Sequence, residues 1–134
     1  MNFAVVVFIV EPGQPSEVNV YAFAKYILVT WEPPLEPNGI ITKYRVGSAV
    51  NTGSEDVVVD KEEVGNSVRR KLLENQEPEK NYVVEIQAAT SKGWGEIAKK
   101  TTTTVKLSGK LLNCNIPESI EARYWKSFKN EVKC

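Results

Sequence analysis

Histidine is absent from this 134-residue sequence, and its absence narrows the chemistry that the chain can perform. Histidine is the commonest general base, the commonest switch of charge near neutral pH and the commonest metal ligand in proteins. Most familiar hydrolase sites therefore cannot be built from these residues. We expect a chain that is not an enzyme, with no catalytic residues, no metal site and no cofactor.

An excess of charge of either sign is also lacking. Lysine and arginine number 17, aspartate and glutamate number 17, and the sequence pI is about 6.4. A protein that binds nucleic acid carries a basic surface, so we expect no nucleic-acid partner. Hydrophobic residues make up 42% of the chain and charged residues 25%, which is the composition of a protein with a packed core.

Cysteine is scarce, because the only two are Cys114 and Cys134, both near the C-terminus. The first hundred residues therefore contain no disulfide, unlike an antibody domain, in which a cysteine pair joins the two sheets. The spacing of the two cysteines does not decide whether they are bonded. The sequence also contains no Asn-x-Ser/Thr glycosylation acceptor and no Arg-Gly-Asp motif.

Long hydrophobic runs are missing, and the apolar stretch at residues 3–10 is too short to cross a bilayer as a helix. This stretch lacks the basic leader and the cleavage site of a secretory signal. Its valines and isoleucine, followed by the Pro- and Gly-containing linker at residues 11–15, also fit the last strand of a preceding domain. We favour the strand remnant and keep the signal as the alternative.

Seven short segments with β-branched and aromatic residues are separated by turn residues, a pattern typical of an all-β sandwich. The predicted strands are residues 16–21, 26–31, 41–48, 57–59, 68–73, 82–89 and 96–105. Alternation along these strands predicts which side chains form the core. These are Val29, Trp31, Tyr44, Val46, Tyr82, Val84 and Ile86. In the strand 82–89, Glu85 and Gln87 lie on the other face, which we expect to contact solvent.

Four motifs resemble the fibronectin type III family over residues 12–105: V-T-W-E-P-P at 29–34, P-N-G-I-I-T-K-Y at 37–44, P-E-K-N-Y at 78–82 and K-G-W-G-E at 92–96. The resemblance implies an all-β, seven-stranded immunoglobulin-like β-sandwich. It places Trp31 and Tyr44 at the two aromatic core positions and Tyr82 at the tyrosine corner. Gln76 departs from the leucine usual in the family, so Leu73 or Leu72 must supply that apolar contact.

The C-terminal segment differs in kind from the predicted sandwich. Residues 116–118 can cap and open a helix, and an apolar residue then recurs at every fourth position. These residues are Ile120, Tyr124, Phe128 and Val132. The segment either docks on the sandwich, binds a partner or begins a following domain, and we favour the last. The chain is thus divided into an N-terminal flank (1–11), the sandwich (12–105) and a tail that can form a helix (106–134).

The resemblance implies a binding and spacer module from a tandem array in a cell-adhesion molecule or receptor ectodomain. We expect an extracellular or cell-surface location and a protein partner, such as another cell-surface or matrix protein. Contact with a membrane would come only through other parts of a longer chain. Two alternatives stay open: an accessory domain of a larger extracellular enzyme or receptor phosphatase, and a repeat of an intracellular muscle-type array.

The candidate binding residues are Lys92, Trp94 and Glu96, in the loop that follows the strand 82–89. An aromatic ring with flanking charges has the composition of an interface hot spot. In the competing interpretation, the Trp94 ring packs on the neighbouring hairpin and has only a structural role. We expect the loop at residues 33–38 to project from the opposite end of the sandwich.

Overall fold

The computed structural model describes residues 10–107, which form two antiparallel β-sheets packed face to face. The strands in chain order are β1 (Ser16–Ala22), β2 (Ile27–Glu32), β3 (Lys43–Val50), β4 (Lys61–Gly65), β5 (Arg70–Leu73), β6 (Asn81–Thr90), β7 (Gly93–Trp94) and β8 (Ala98–Thr103). The expectations for the apolar run, for the helical tail and for Cys114 and Cys134 fall on residues 1–9 and 108–134, outside the described range.

One sheet has three strands in the order β1-β2-β5, and the other has five. In the larger sheet the order is β4-β3-β6, and both β7 and β8 pair with the far edge of β6. This arrangement confirms the predicted all-β sandwich, with the two-residue strand β7 as an addition to the seven that were expected. No helix in residues 10–107 is long and apolar enough to cross a membrane.

The core lies between the inner faces of the two sheets, and all seven side chains predicted for it belong to one buried cluster. Trp31 from β2 and Tyr44 from β3 meet across the sheets, with ring centroids 5.7 Å apart and ring planes inclined by 53°. An aromatic ring of this size removes about 150–250 Å² of surface from water, so this pair dominates the apolar contact between the sheets.

The turn before β6 has the hydrogen bond of a tyrosine corner. The backbone N–H of Glu77 donates to the hydroxyl of Tyr82 at 2.7 Å. Gln76 is held by polar contacts, since its Oε1 accepts from the hydroxyl of Ser48 at 2.9 Å. Leu73 lies in the core cluster while Leu72 is half-buried, so Leu73 supplies the apolar contact that Gln76 does not make.

The predicted strand at 57–59 is wrong, because pairing with β3 begins only at Lys61. Val59 is buried, but Val58 beside it is 84% exposed, and neither residue belongs to a strand. At Gly47 of β3 a side chain would collide with the carbonyl of Asp60, so the chain crosses close to β3 just before it joins the sheet. Valine-rich composition alone misplaced this strand by a few residues.

We expect Trp31→Ala to lower the free energy of unfolding by about 3–5 kcal/mol, because it deletes the largest fully buried side chain. The total stability of a domain is about 5–15 kcal/mol, so much of the protein would unfold. Leu35→Ala is the matched control, since Leu35 is 89% exposed, and we expect a change below about 0.5 kcal/mol. Urea unfolding measures both, and equal midpoints for the two variants would contradict the assigned core.

Candidate protein-binding surface

The outer face of β6 is covered by protein, contrary to the expectation that it contacts solvent. Glu85 and Gln87 are each only 6% exposed, and Val83 and Ala89 on the same face are also buried. β6 lies at the centre of the larger sheet, with β3 on one side and β7 and β8 on the other. Long side chains from these neighbours and from β4 extend over β6, so buried polar groups on it require partners.

Two lysines neutralise the buried carboxylate of Glu85. Lys61 Nζ lies 3.1 Å from Glu85 Oε1, and Lys99 Nζ lies 3.6 Å from Oε2. Lys99 belongs to the adjacent strand, but Lys61 lies two strands away, beyond β3. Gly47 pairs with both Lys61 and Glu85, and because it has no side chain, that of Lys61 can pass over β3 to the carboxylate.

Arg45 covers Gln87, the next residue on the outer face of β6 after Glu85. It is the register partner of Gln87, and its Nε–H donates to Gln87 Oε1 at 2.7 Å. The amide nitrogen of Gln87 donates in turn to the carbonyl of Gly95 at 2.8 Å. The guanidinium carbon of Arg45 also lies 4.1 Å from the centroid of the Trp94 ring, the distance of a stacked cation–π contact.

Trp94 lies in strand β7, which pairs with the end of β6 through Ala89. A two-residue turn leads into it, and Gly93 has a φ of 123°, a backbone conformation that favours glycine. The indole ring is half-buried, and Lys43 Nζ lies 5.1 Å from its centroid while bonding Glu63 at 3.1 Å. Trp94 thus packs on β3 and keeps part of its surface exposed.

The three candidate binding residues differ in their exposure and contacts. Lys92 and Glu96 are exposed on either side of Trp94, whereas Trp94 itself contacts Lys43 and Arg45. Neither Lys43 nor Arg45 is among the candidate binding residues predicted from the sequence. Their alternation with Tyr44 and Val46 shows that they lie on the outer face, but only the register between β3 and β6 reveals that they meet Trp94. We call Lys43, Arg45, Gln87 and Trp94 the Trp94 cluster.

The loops at 33–38 and 91–96 lie at the same end of the sandwich, so the expectation of opposite ends is wrong. The leading segment bridges them: Gly13 N–H donates to the carbonyl of Glu36 at 2.9 Å, and Glu96 N–H donates to the carbonyl of Pro12 at 3.1 Å. A side chain at Gly95 would collide with Pro12. The two loops share an end because Lys43 pairs with Ala89. This pairing places the start of β3, which follows the loop at 33–38, beside the end of β6, which precedes the loop at 91–96.

Other features of the described chain are less suited to binding. A polar groove of about 470 Å³ runs along the open side of the sandwich, where Lys71 of β5 and Glu62 of β4 form an ion pair at 2.9 Å. Of the described residues that line this groove, none is aromatic. Within residues 10–107 no group of three or more acidic, cysteine or histidine residues is placed to hold a metal ion.

Comparison with known proteins gives consistent results. The family model of the fibronectin type III domain matches residues 13–104. The chain is 36% identical to chicken (Gallus gallus) sidekick-2 over 80 residues, 60% of this chain. It is 31% identical to the netrin receptor DCC of Rattus norvegicus over 93 residues, 69% of this chain. These stretches are only 4% and 6% of the lengths of the two relatives.

Solved structures show the same fold. The structure of chicken CNTN1 domains FN1-FN3 matches with a TM-score of 0.61 and 21% identity, over 71% of this chain and 31% of that one. The FN5 domain of Drosophila Lar matches with a TM-score of 0.58 and 23% identity, over 71% of this chain and 98% of that one. At these identities the matches establish the sandwich fold.

We expect Glu85→Ala to lower the free energy of unfolding by about 2–4 kcal/mol, because it leaves the largely buried ammonium of Lys61 without its carboxylate. Glu63→Ala is the control, since it breaks the exposed Lys43–Glu63 pair, and we expect it to cost less than about 1 kcal/mol. Urea titration of both variants measures the difference. A Glu85→Ala protein as stable as Glu63→Ala would show that the buried carboxylate does not hold the outer face together.

Proposed function

Because this chain belongs to the fibronectin type III domain family, we propose that it is a non-catalytic spacer and protein-binding module of a cell-adhesion molecule or receptor ectodomain. The proposal places it at the cell surface or outside the cell. It is supported by the relatives, one of which is named a receptor, and by the small part of their length that the chain matches.

The spacer role is supported by the contacts of the leading segment. Pro12 is buried against Gly95, and the side-chain amide of Asn38 donates to the carbonyl of Glu11 at 2.9 Å. With the two backbone hydrogen bonds described above, these contacts fix the direction in which the chain enters the sandwich. A fixed entry keeps the orientation of a module constant relative to the chain before it.

The binding role is carried by one observation, the half-exposed ring of Trp94 held against Arg45. Tryptophan and arginine are the residues most enriched in interface hot spots, where a rigid apolar surface meets a few polar groups. The contact with Arg45 holds the ring in place before a partner arrives, which lowers the entropy cost of binding. Lys92 and Glu96 flank the ring as exposed charged neighbours.

We expect Trp94→Ala to weaken binding to a protein partner by about 2 kcal/mol and to lower the free energy of unfolding by only about 1 kcal/mol. The measurement uses the full chain, fused to a pentamerising tag and applied to an array of cell-surface ectodomains that includes the chain itself. Binding is read at a temperature where calorimetry shows every variant fully folded.

Val58→Ala is the control for this array, because Val58 is exposed in the loop between β3 and β4, at the end of the sandwich opposite Trp94. We expect this variant to bind as the parent chain does. A parent chain that binds no ectodomain would contradict the binding role, and so would a folded Trp94→Ala protein that keeps every interaction of the parent.

A further inference from the structure

Within residues 10–107, Gln87 and Trp94 rather than an acidic residue hold the guanidinium of Arg45 in place. Its Nε–H donates to the side-chain oxygen of Gln87 at 2.7 Å, and its guanidinium carbon lies 4.1 Å from the centroid of the Trp94 ring. Among residues 10–107 no carboxylate lies within ion-pair distance of Arg45. Its two Nη amino groups therefore keep their donor capacity, and the side chain has already lost the rotamer freedom that binding would otherwise remove.

The outer face of the larger sheet carries more positive than negative charge. Lys43 is balanced by Glu63, and the single carboxylate of Glu85 is shared by Lys61 and Lys99. Among the residues that the structure describes, this leaves one of the two lysines and Arg45 without a carboxylate of their own. Lys99 is the more exposed of the pair, since 54% of its side chain is accessible compared with 12% for Lys61. The face thus offers two cations: Arg45, which lies against the Trp94 ring, and Lys99, which lies on the other side of β6 beside Glu85.

We propose that this face binds an acidic, extended peptide segment of the protein partner, with one carboxylate on Arg45 and another on Lys99. A planar guanidinium binds a carboxylate through two parallel N–H···O bonds, while an ammonium binds it as a point charge. The exposed part of the Trp94 ring packs against the side-chain methylene groups of the same segment. This inference rests on the proposed function, because it names the chemistry of the partner at the Trp94 cluster.

The distribution of charge favours a peptide over a sulfated polysaccharide. A polyanion of high charge density needs a cluster of cations, whereas in the described part of the chain this face has only two that are not balanced by a carboxylate. Glu63 on the same face is 57% exposed and would repel a dense polyanion. Glu63 is also the register partner of Arg45 on β4, but Lys43 bonds it at 3.1 Å, so a single carboxylate on Arg45 meets less repulsion than a dense polyanion would. The chain as a whole has no net charge, so attraction depends on this local excess.

Nuclear magnetic resonance titration of the full chain tests the proposal. The probe is an acetylated, amidated octapeptide of alternating glutamate and serine, and its matched control replaces every glutamate by glutamine. We expect the glutamate peptide to shift the side-chain N–H signals of Arg45 and Trp94, with an affinity that falls as salt is raised. We expect the glutamine peptide to leave both signals unchanged at the same concentration.

Variants separate the roles of the two cations. Arg45→Lys keeps the charge but loses the planar fork, and we expect it to weaken binding at least fivefold. Lys99→Ala should weaken binding at least threefold. Its matched control, Lys100→Ala, should change binding less than twofold, because Lys100 pairs with Val84 and lies on the other side of β8. Lys99 is exposed, so its removal tests the proposal even if Arg45→Lys alters the fold.

Three results would overturn the acidic-peptide proposal: no binding of the glutamate peptide, equal binding of the glutamine peptide, or equal effects of Lys99→Ala and Lys100→Ala. Tighter binding of a heparin hexasaccharide than of the glutamate peptide would also overturn it and assign the face to anionic polysaccharide. These peptide results do not decide the proposed protein-binding function. That function is tested separately, by whether Trp94→Ala loses binding in the ectodomain array. A partner that binds this face by shape alone would be lost by Trp94→Ala in the ectodomain array, while the glutamate peptide would not bind.

Discussion

Strand β6 is buried on both faces, and the arrangement of its neighbours follows from this constraint. On the inner face, Val84 and Ile86 pack into the core between the sheets. On the outer face, Glu85 and Gln87 are as well covered as the apolar residues beside them. A buried carboxylate or amide destabilises the fold unless it is paired, so the residues around β6 must supply charges and donors at fixed positions.

Three features of β3 and β4 meet that requirement. Gly47 leaves the space through which Lys61 reaches Glu85, and Arg45 bonds Gln87 one position further along. A larger residue at Gly47 would block the lysine and would also collide with the backbone at Asp60. Gly47 and the long cationic side chains therefore work only in one alignment of β4, β3 and β6. Contacts on the outer face of the sheet specify this register, as the core contacts do on the inner face.

The same covering of β6 creates the candidate binding surface. Arg45 is directed by Gln87 and lies against Trp94, so the contacts that bury β6 also hold the ring and the guanidinium in fixed positions. In the proposed function these residues serve both stability and recognition, and Trp94 accordingly fits neither a purely structural nor a purely exposed description. Its ring has a structural contact on one part of its surface and is accessible on another.

The sandwich and its inner core could be predicted from the sequence, because the alternation of apolar residues and the positions of Trp31 and Tyr44 are local signals. Prediction failed where the outcome depends on distant pairing. Alternation placed Gln87 away from the core but could not show that Arg45, 42 residues earlier, would cover it. The shared end of the two loops likewise follows from the register of β3 on β6, which no short segment reveals.

A double-mutant cycle on the free energy of unfolding tests most directly whether the cover of β6 holds the binding surface together. The cycle compares the parent chain with Arg45→Ala, Trp94→Ala and the variant with both changes, all by urea unfolding. Coupling of about 1 kcal/mol between Arg45 and Trp94 is the result that the stacked contact predicts. Effects that add to within about 0.3 kcal/mol would contradict it, because the two side chains would then contribute independently.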